Sequence, residues 1–217
     1  METISGLMEE YPAADVFLTG YEIHLHDGQI LKKASPGITD DMQCDNVFKH
    51  LWEYGYFIHT NSVACKKSVF DLVGLFEVGV TNGEDDDMWY RMFAHFSAAI
   101  SREITTVYMR ENSTATVSRV FVEDWAFLPR VDGIMADSSI PDEKKYYLRR
   151  LLEQRQLFLV RNCILNGNKK KAWTHFQRID RNLVNGMKYA ETWIALIIPS
   201  AITSFLVRKR DRNYYRS

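Results

Sequence analysis

The sequence predicts an α/β fold, in which a partial mixed sheet with flanking helices is followed by an α-helical C-terminal extension. Residues 15–33 combine a short apolar run, an alternating stretch and a turn dipeptide, which together predict a β-hairpin. Residues 82–96 and 142–166 repeat apolar side chains at helical spacing. Strand signals become rare after Val120, so we expect the C-terminal side to be helical.

The N-terminal elements follow from local composition. Ile4–Tyr11 resembles the end of a helix, because Pro12 cannot continue one. Asp15–Thr19 has the apolar character of a buried strand, and Tyr21–His26 alternates between apolar and polar residues. The hairpin turn is predicted at Asp27-Gly28 and its return strand at Gln29–Lys33.

The middle of the chain predicts short elements separated by loops. Ala34–Asp45 has the composition of a loop, and Tyr56–Ala64 has the β-branched and apolar character of a strand. Gly74 is expected to end a brief helix. The predicted helices are Asn46–Glu53 and Ser68–Leu72, and a further strand is predicted within Ala98–Val107.

Four consecutive carboxylates, Glu84–Asp87, stand at the start of the predicted helix that ends near Phe96. Asn82 is a plausible cap, and backbone amides in a first helical turn favour one or two acidic side chains. Four adjacent carboxylates repel one another and raise one another's pKa. The cluster is therefore a candidate for a carboxylate that takes a proton from a substrate hydroxyl.

Composition limits the class of protein. The 217 residues are 46% hydrophobic and 13% aromatic, which is typical of a folded chain. The formal net charge of −1 gives no indication of a nucleic-acid partner. The three cysteines are far apart and lack metal-type spacing, and the first residues do not resemble a secretory signal. These observations favour a reducing, cytoplasmic setting.

The C-terminal side carries a second apolar stretch, Trp193–Val207, which is followed by Arg208-Lys209-Arg210. It is shorter than the roughly 20 residues that cross a bilayer. Tryptophan at one end and basic residues at the other are typical of a segment that lies in a membrane surface, here predicted at 193–210. A hydrophobic helix packed on the domain or on a partner remains the alternative.

Three segments then occur in a characteristic order: Ile58–Phe70 running into Leu72–Glu77, Gly83–Arg91, and Val107–Thr116. In this order and at these separations they resemble the acceptor half of family 2 glycosyltransferases, which have the GT-A fold. The resemblance covers about Leu7 to Ser118. It divides the chain into an acceptor-side half-domain at 1–118 and a helical extension at 119–217.

The resemblance implies roles for individual residues. Asp85 would be the catalytic base of an inverting transfer, and Glu84 would bind the acceptor or orient Asp85. Thr60 and Asn61 would line the floor of the acceptor site, although ordinary polar groups at a strand end are the alternative. Arg91 would bind substrate, but a surface ion pair with Asp87 four residues earlier is the favoured alternative. Gly74 and Phe76 would be a structural turn and a core plug.

The family's nucleotide-binding half, with its Asp-x-Asp metal site, is not encoded here. We therefore expect a divalent metal, Mg²⁺ or Mn²⁺, only for the complete family architecture, with no ligand from this chain. The resemblance implies transfer of a sugar from a nucleotide-sugar donor to a glycan or lipid-linked acceptor. Alone, this polypeptide is expected to be inactive, as a fragment or as one half of a split enzyme, and to expose a sheet edge.

Two other interpretations stay open. A glycosidase also uses paired carboxylates, but it needs a second acid roughly 5 to 9.5 Å from the first, and only one acidic cluster is evident. The alternative from another class is a non-catalytic, membrane-peripheral interaction module with a residual acceptor fold. Either protein would be cytoplasmic, with peripheral attachment to the inner face of the cell membrane.

Overall fold

The computed structural model describes residues 2–25, 28–80, 83–110, 123–124 and 128–198. The chain divides into two compact units. The sheet unit comprises Met1–Asn112 and Ala126–Leu148, and the helical unit comprises Ser113–Trp125 and Arg149–Ser217. The predicted boundary at 118/119 lies outside the described residues and stays a prediction.

The sheet unit is built on a mixed sheet, which confirms the predicted α/β fold class. The strand order is β2-β1-β5-β3, and β4 pairs with β1 off this path. β1 and β5 are parallel, whereas the other three pairings are antiparallel. The strands are β1 Val16–Leu25, β2 Ile30–Ala34, β3 Met42–Cys44, β4 Val63–Cys65 and β5 Ala98–Arg110.

Eight α-helices complete the described structure, and the helices predicted near 46–53, 68–72 and 142–166 are confirmed. The side chain of Asn46 accepts a hydrogen bond from the Lys49 amide at the start of α2, and Gly74 ends α3 at φ 75°. The helices are α1 Glu2–Glu10, α2 Val47–Tyr54, α3 Val69–Val73, α4 Glu84–His95, α5 Leu128–Ala136, α6 Asp142–Leu165, α7 Lys169–Phe176 and α8 Gly186–Ile197.

The first half of β1 is buried on both faces. Phe17 packs with Leu7 of α1 and Ala99 of β5, while Val16 and Leu18 point to the opposite face and are fully buried as well. This explains why residues 16–18 are all apolar rather than alternating with polar residues. Strand β1 therefore forms the centre of the sheet unit.

The predicted loop at 34–45 is wrong in one respect, because it contains β3. This strand is only three residues long, and it pairs with Ala98–Ile100 of β5. The preceding Asp41 accepts hydrogen bonds from Ser101 Oγ at 3.0 Å and the Arg102 amide at 2.8 Å. These bonds secure the place where β5 contains two more residues than β1, between the pairs Leu18–Ile100 and Gly20–Ile104.

The strand predicted over 56–64 is also mostly wrong. Only Val63–Cys65 forms a strand, and Thr60–Ser62 forms a single 3₁₀ turn. Ser62 Oγ accepts a hydrogen bond from the His59 amide at 3.0 Å, and the His59 ring bonds to Asn61. Local side-chain bonds of this kind offer the backbone an alternative to a sheet ladder.

Strand β5 has a sheet edge without a described partner. Beyond Ile100 it pairs on one side only, with β1, among the residues that the structure describes. Val107 and Met109 lie in this part of the strand and are about half exposed. Whether this is the sheet edge expected of a half-domain stays a prediction.

The helical unit has an apolar core formed by α6, α7 and α8. Asn168 and Asn185 cap α7 and α8 through their side-chain oxygens. In the described part of the chain, no helix combines the length and apolarity needed to cross a bilayer. The core residues are Leu157, Val160, Cys163, Ile164, Ala172, Phe176, Ile179, Val184 and Leu196.

Candidate active site at the start of α4

The four consecutive carboxylates occupy the first turn of α4, as predicted, but they differ in exposure. Glu84 and Asp85 are half-buried, whereas Asp86 and Asp87 are only 6% and 5% exposed. Gly83 begins the helix at φ 78°, a left-handed conformation that glycine adopts without strain. The predicted cap Asn82 lies outside the described residues.

Asp86 is bound by a residue 30 positions away. The hydroxyl of Tyr56 donates to its Oδ1 at 2.5 Å. A buried carboxylate needs such a donor, because an ionised group without partners is costly to remove from water. The bond also holds the extended segment that follows Tyr56 beside the start of α4.

Asp87 forms the predicted ion pair with Arg91. Arg91 Nη2 and Nε donate to Asp87 Oδ2 at 2.7 and 3.1 Å. The prediction of a surface pair was wrong, because the two side chains are only 14% and 7% exposed. Arg91 also donates to the carbonyls of Val73 and Leu75, so each guanidinium nitrogen bonds to protein. These bonds fix the end of α3, and substrate binding by Arg91 stays a prediction.

Glu84 and Asp85 are the two members of the cluster that remain partly exposed. Asp85 Oδ1 accepts a hydrogen bond from the Asp86 amide at 2.8 Å, which orients its carboxylate. With the described residues, neither carboxylate forms an ion pair. The fold therefore separates two structural acids from the two acids predicted to act on substrate.

Thr60 and Asn61, the predicted floor of the acceptor site, are both exposed in the 3₁₀ turn. The neighbouring His59 ring lies between the rings of Tyr21 and Tyr108, with centroid distances of 5.0 and 4.8 Å. The turn therefore lies against β1 and β5. Thr60 follows Tyr56 by four residues, which limits its Cα to about 14 Å from that of Tyr56.

Exposed apolar residues lie at the end of α3 and in the segment that follows it. Leu72, Leu75 and Val78 are 61%, 74% and 98% exposed. Phe76 is 41% exposed and meets the ring of Trp89 edge-on at 6.1 Å, so the predicted core plug is wrong. Because Arg91 holds the carbonyls at 73 and 75, this apolar surface is fixed beside α4.

Sequence reasoning missed two partners of the site, Tyr56 and His59. Tyr56 was assigned to a strand, where a tyrosine needs no special explanation. Only a general rule points to Tyr56 as a partner of the acidic cluster. A buried carboxylate requires a hydrogen-bond donor, and a nearby tyrosine can supply one. The ring contacts of His59 carry no sequence signal, because they join three separate elements.

Cysteine chemistry does not account for the site. All three cysteines are free. Burial raises the pKa of Cys44 and of Cys163 to about 11 and also raises the pKa of Cys65. At neutral pH these groups are protonated thiols, which are poor nucleophiles.

Within the described residues, no three His, Cys, Asp or Glu side chains gather to hold a metal ion. The acidic run does not fit one either, because Asp86 and Asp87 are bound to Tyr56 and Arg91. Neither the comparison with protein-family models nor the search of curated proteins found a match to this chain.

Proposed function

We propose that this chain contributes the acceptor side of an inverting glycosyltransferase of the family 2 type. The observation that carries the proposal is the division of the acidic cluster. Asp86 and Asp87 are buried and bound, while Asp85 and Glu84 remain partly exposed at the start of α4. A general base must be fixed in orientation and still reach its substrate, and Asp85 meets both requirements.

In the proposed reaction, an acceptor hydroxyl attacks the anomeric carbon of a nucleotide-sugar donor. Asp85 takes the hydroxyl proton as the new carbon–oxygen bond forms. The bond from the anomeric carbon to the phosphate oxygen breaks, and the nucleoside diphosphate leaves with the electron pair. Glu84 binds the acceptor or orients Asp85.

The acceptor surface combines polar and apolar parts. Thr60 and Asn61 provide exposed hydrogen-bonding groups, and the segment from Leu72 to Val78 provides a fixed apolar wall. This combination supports a glycan acceptor that carries an apolar group, such as a lipid-linked one. No group of described residues fits a divalent metal, so no step is assigned to one. Donor binding belongs to a nucleotide-binding half that the family architecture supplies.

The test is Asp85→Asn in a chain joined to a nucleotide-binding half. Loss of a general base lowers kcat by about 10²- to 10⁴-fold. Glu84→Gln should raise KM more than it lowers kcat if Glu84 binds the acceptor. Both are measured as sugar transfer under saturating donor, with folding checked by circular dichroism.

Asp71→Asn is the matched control, because Asp71 is an exposed aspartate in the first turn of another helix, α3. It should leave transfer within about twofold of the unmodified chain. Unchanged activity in Asp85→Asn would remove Asp85 from the mechanism. An equal loss in Asp71→Asn would show that the assay reports folding rather than chemistry.

A second candidate is a non-catalytic, membrane-peripheral interaction module. The exposed apolar residues of α8, among them Trp193 and Ile194, favour it. In both cases we place the protein in the cytoplasm, on the inner face of the cell membrane. Absence of any transfer with a folded, extended chain, together with retained membrane binding, would favour this second candidate.

A further inference from the structure

Helix α8 presents an apolar face to solvent. Its opposite side is anchored in the core, where Leu196 is buried and the Tyr189 ring lies 4.7 Å from that of Phe176. At 100° per residue, the exposed apolar residues of α8 fall within an arc of about 120° around the helix axis. They are Met187, Ala190, Trp193, Ile194 and Ile197, and the four larger ones are 46–74% exposed.

The part of the helical unit that includes this face, residues 149–198, is strongly basic. Residues 149–198 contain ten Lys and Arg but only three Asp and Glu, a formal charge of +7. Five of these cations are exposed: Arg149, Lys170, Arg178, Arg181 and Lys188. In the sequence, Arg208-Lys209-Arg210 adds to the same excess. Such a field attracts anionic surfaces at long range.

We propose that the apolar face of α8 docks on an anionic lipid bilayer surface. The 12 residues of the helix span about 18 Å, which is less than the roughly 30 Å of a hydrocarbon core. The helix therefore lies in the plane of the interface, with its apolar arc among the acyl chains and the basic residues near headgroup phosphates.

Other occupants fit these observations less well. A nucleic acid would require cations on the contact face, but the arc itself carries none. A second copy would bring together two segments, residues 149–198 of each chain, with a formal charge of +7, and their repulsion opposes pairing. An anionic bilayer suits both the apolar face and the positive charge of this segment.

Hydrogen bonds also hold α8 in an orientation that keeps its apolar face exposed to solvent. Lys169 Nζ, at the start of α7, donates to the Leu196 carbonyl at 2.9 Å and to the Ile198 carbonyl. These bonds fix the C-terminal end of α8 against α7. A pre-folded amphipathic helix does not lose backbone entropy on binding, which favours attachment.

The test uses the full chain with phosphatidylcholine vesicles that contain or lack phosphatidylserine, in a sedimentation assay. We expect binding to the anionic vesicles only, and binding that weakens as salt rises. Binding that is equal on neutral vesicles, or no binding to either, would overturn the proposal.

Ile197 has a matched control in Ile30, since both isoleucines are 57% exposed but lie in different units. Ile197→Ser should weaken anionic-vesicle binding about threefold to tenfold, and Ile30→Ser should leave it within about twofold. An equal loss in both variants would contradict the assignment of this face. Asp85→Asn should bind as the unmodified chain does, because lipid binding does not depend on the transferase proposal.

A second measurement does not depend on weakened variants. Brominated lipid should quench tryptophan fluorescence on anionic vesicles, and Trp193→Phe should reduce that quenching while binding is retained. Unchanged quenching in Trp193→Phe would place another surface at the membrane. Dimerisation that Ile197→Ser abolishes, or an oligonucleotide that displaces the vesicles from α8, would likewise overturn the proposal.

Discussion

The two ends of the chain use charge in opposite ways. Residues 1–148 carry 24 Asp and Glu against 12 Lys and Arg, whereas residues 149–217 carry 15 Lys and Arg against four acids. Asp86 and Asp87 are buried in the sheet unit, but among the described residues of the helical unit no carboxylate is buried. The net charge of −1 for the whole chain hides this asymmetry.

The difference separates two structural strategies. The sheet unit uses charged groups as internal links between distant segments, such as Arg91 between α4 and the end of α3. The helical unit buries an apolar core and exposes half of its described cations, which are available to a partner. Loss of a buried charge should therefore affect folding in the first unit, and loss of an exposed charge should affect binding in the second.

The largest effect should come from Arg91→Met. Removing one partner of a buried pair takes from Asp87 the guanidinium that balances its charge, which costs about 3–5 kcal/mol of unfolding free energy. Urea unfolding monitored by circular dichroism measures this loss.

The control for Arg91 is Arg102→Met. Arg102 lies 3.9 Å from Asp40, and the two side chains are 60% and 88% exposed. Water screens such a pair, so the loss should stay within about 1 kcal/mol. Equal losses in the two variants would contradict the view that Arg91 is an internal link.

Tyr56→Phe should have the next largest effect. It removes the hydroxyl that donates to Asp86 and leaves a buried carboxylate without that donor. Hydrogen bonds to charged groups contribute about 1.5–3 kcal/mol. The same urea experiment on Tyr54→Phe is the control, since Tyr54 is 55% exposed and the loss should be under about 0.5 kcal/mol.

In the helical unit, Lys169→Met should cost about 1 kcal/mol, because a cation at the C-terminal end of α8 is lost. Hydrogen exchange of the α8 amides measures local opening directly. Lys170→Met is the neighbouring exposed control and should leave exchange unchanged. Faster exchange in both variants would show that the loss of positive charge, rather than the loss of the Lys169 bonds to the end of α8, causes the local opening.

The smallest effect is a pH dependence in the sheet unit. Burial lowers the pKa of His50, whose Nε2–H donates to the Pro36 carbonyl at 2.6 Å. Below about pH 6.5 the unfolded chain binds a proton that the folded state resists, so this group reduces stability as pH falls. Its slope should stay below about 1.4 kcal/mol per pH unit.

His50→Gln should flatten that slope. Urea unfolding at several pH values between 7.5 and 5.5 compares the variant with the unmodified chain. An unchanged slope would show that other groups account for the acid sensitivity. A steeper slope would show that His50 is protonated in the folded state.

Much of the local structure was predictable from the sequence, since local patterns determine it. The helical spacing of apolar residues after Asp87 predicts α4. Asn46 predicts the start of α2, and Gly74 predicts the end of α3. Strand β3 and the turn at Thr60–Ser62 were not predictable, because three residues are too few to show a period.

The sequence by itself determined that four carboxylates would stand at the start of a helix, since spacing along the chain is sufficient to place them there. Only the tertiary structure decided which two are buried. Tyr56 binds Asp86 and Arg91 binds Asp87, and these contacts depend on how α4 packs against distant segments. Such partners share no local pattern with the acids they bind, because packing rather than sequence proximity brings them together.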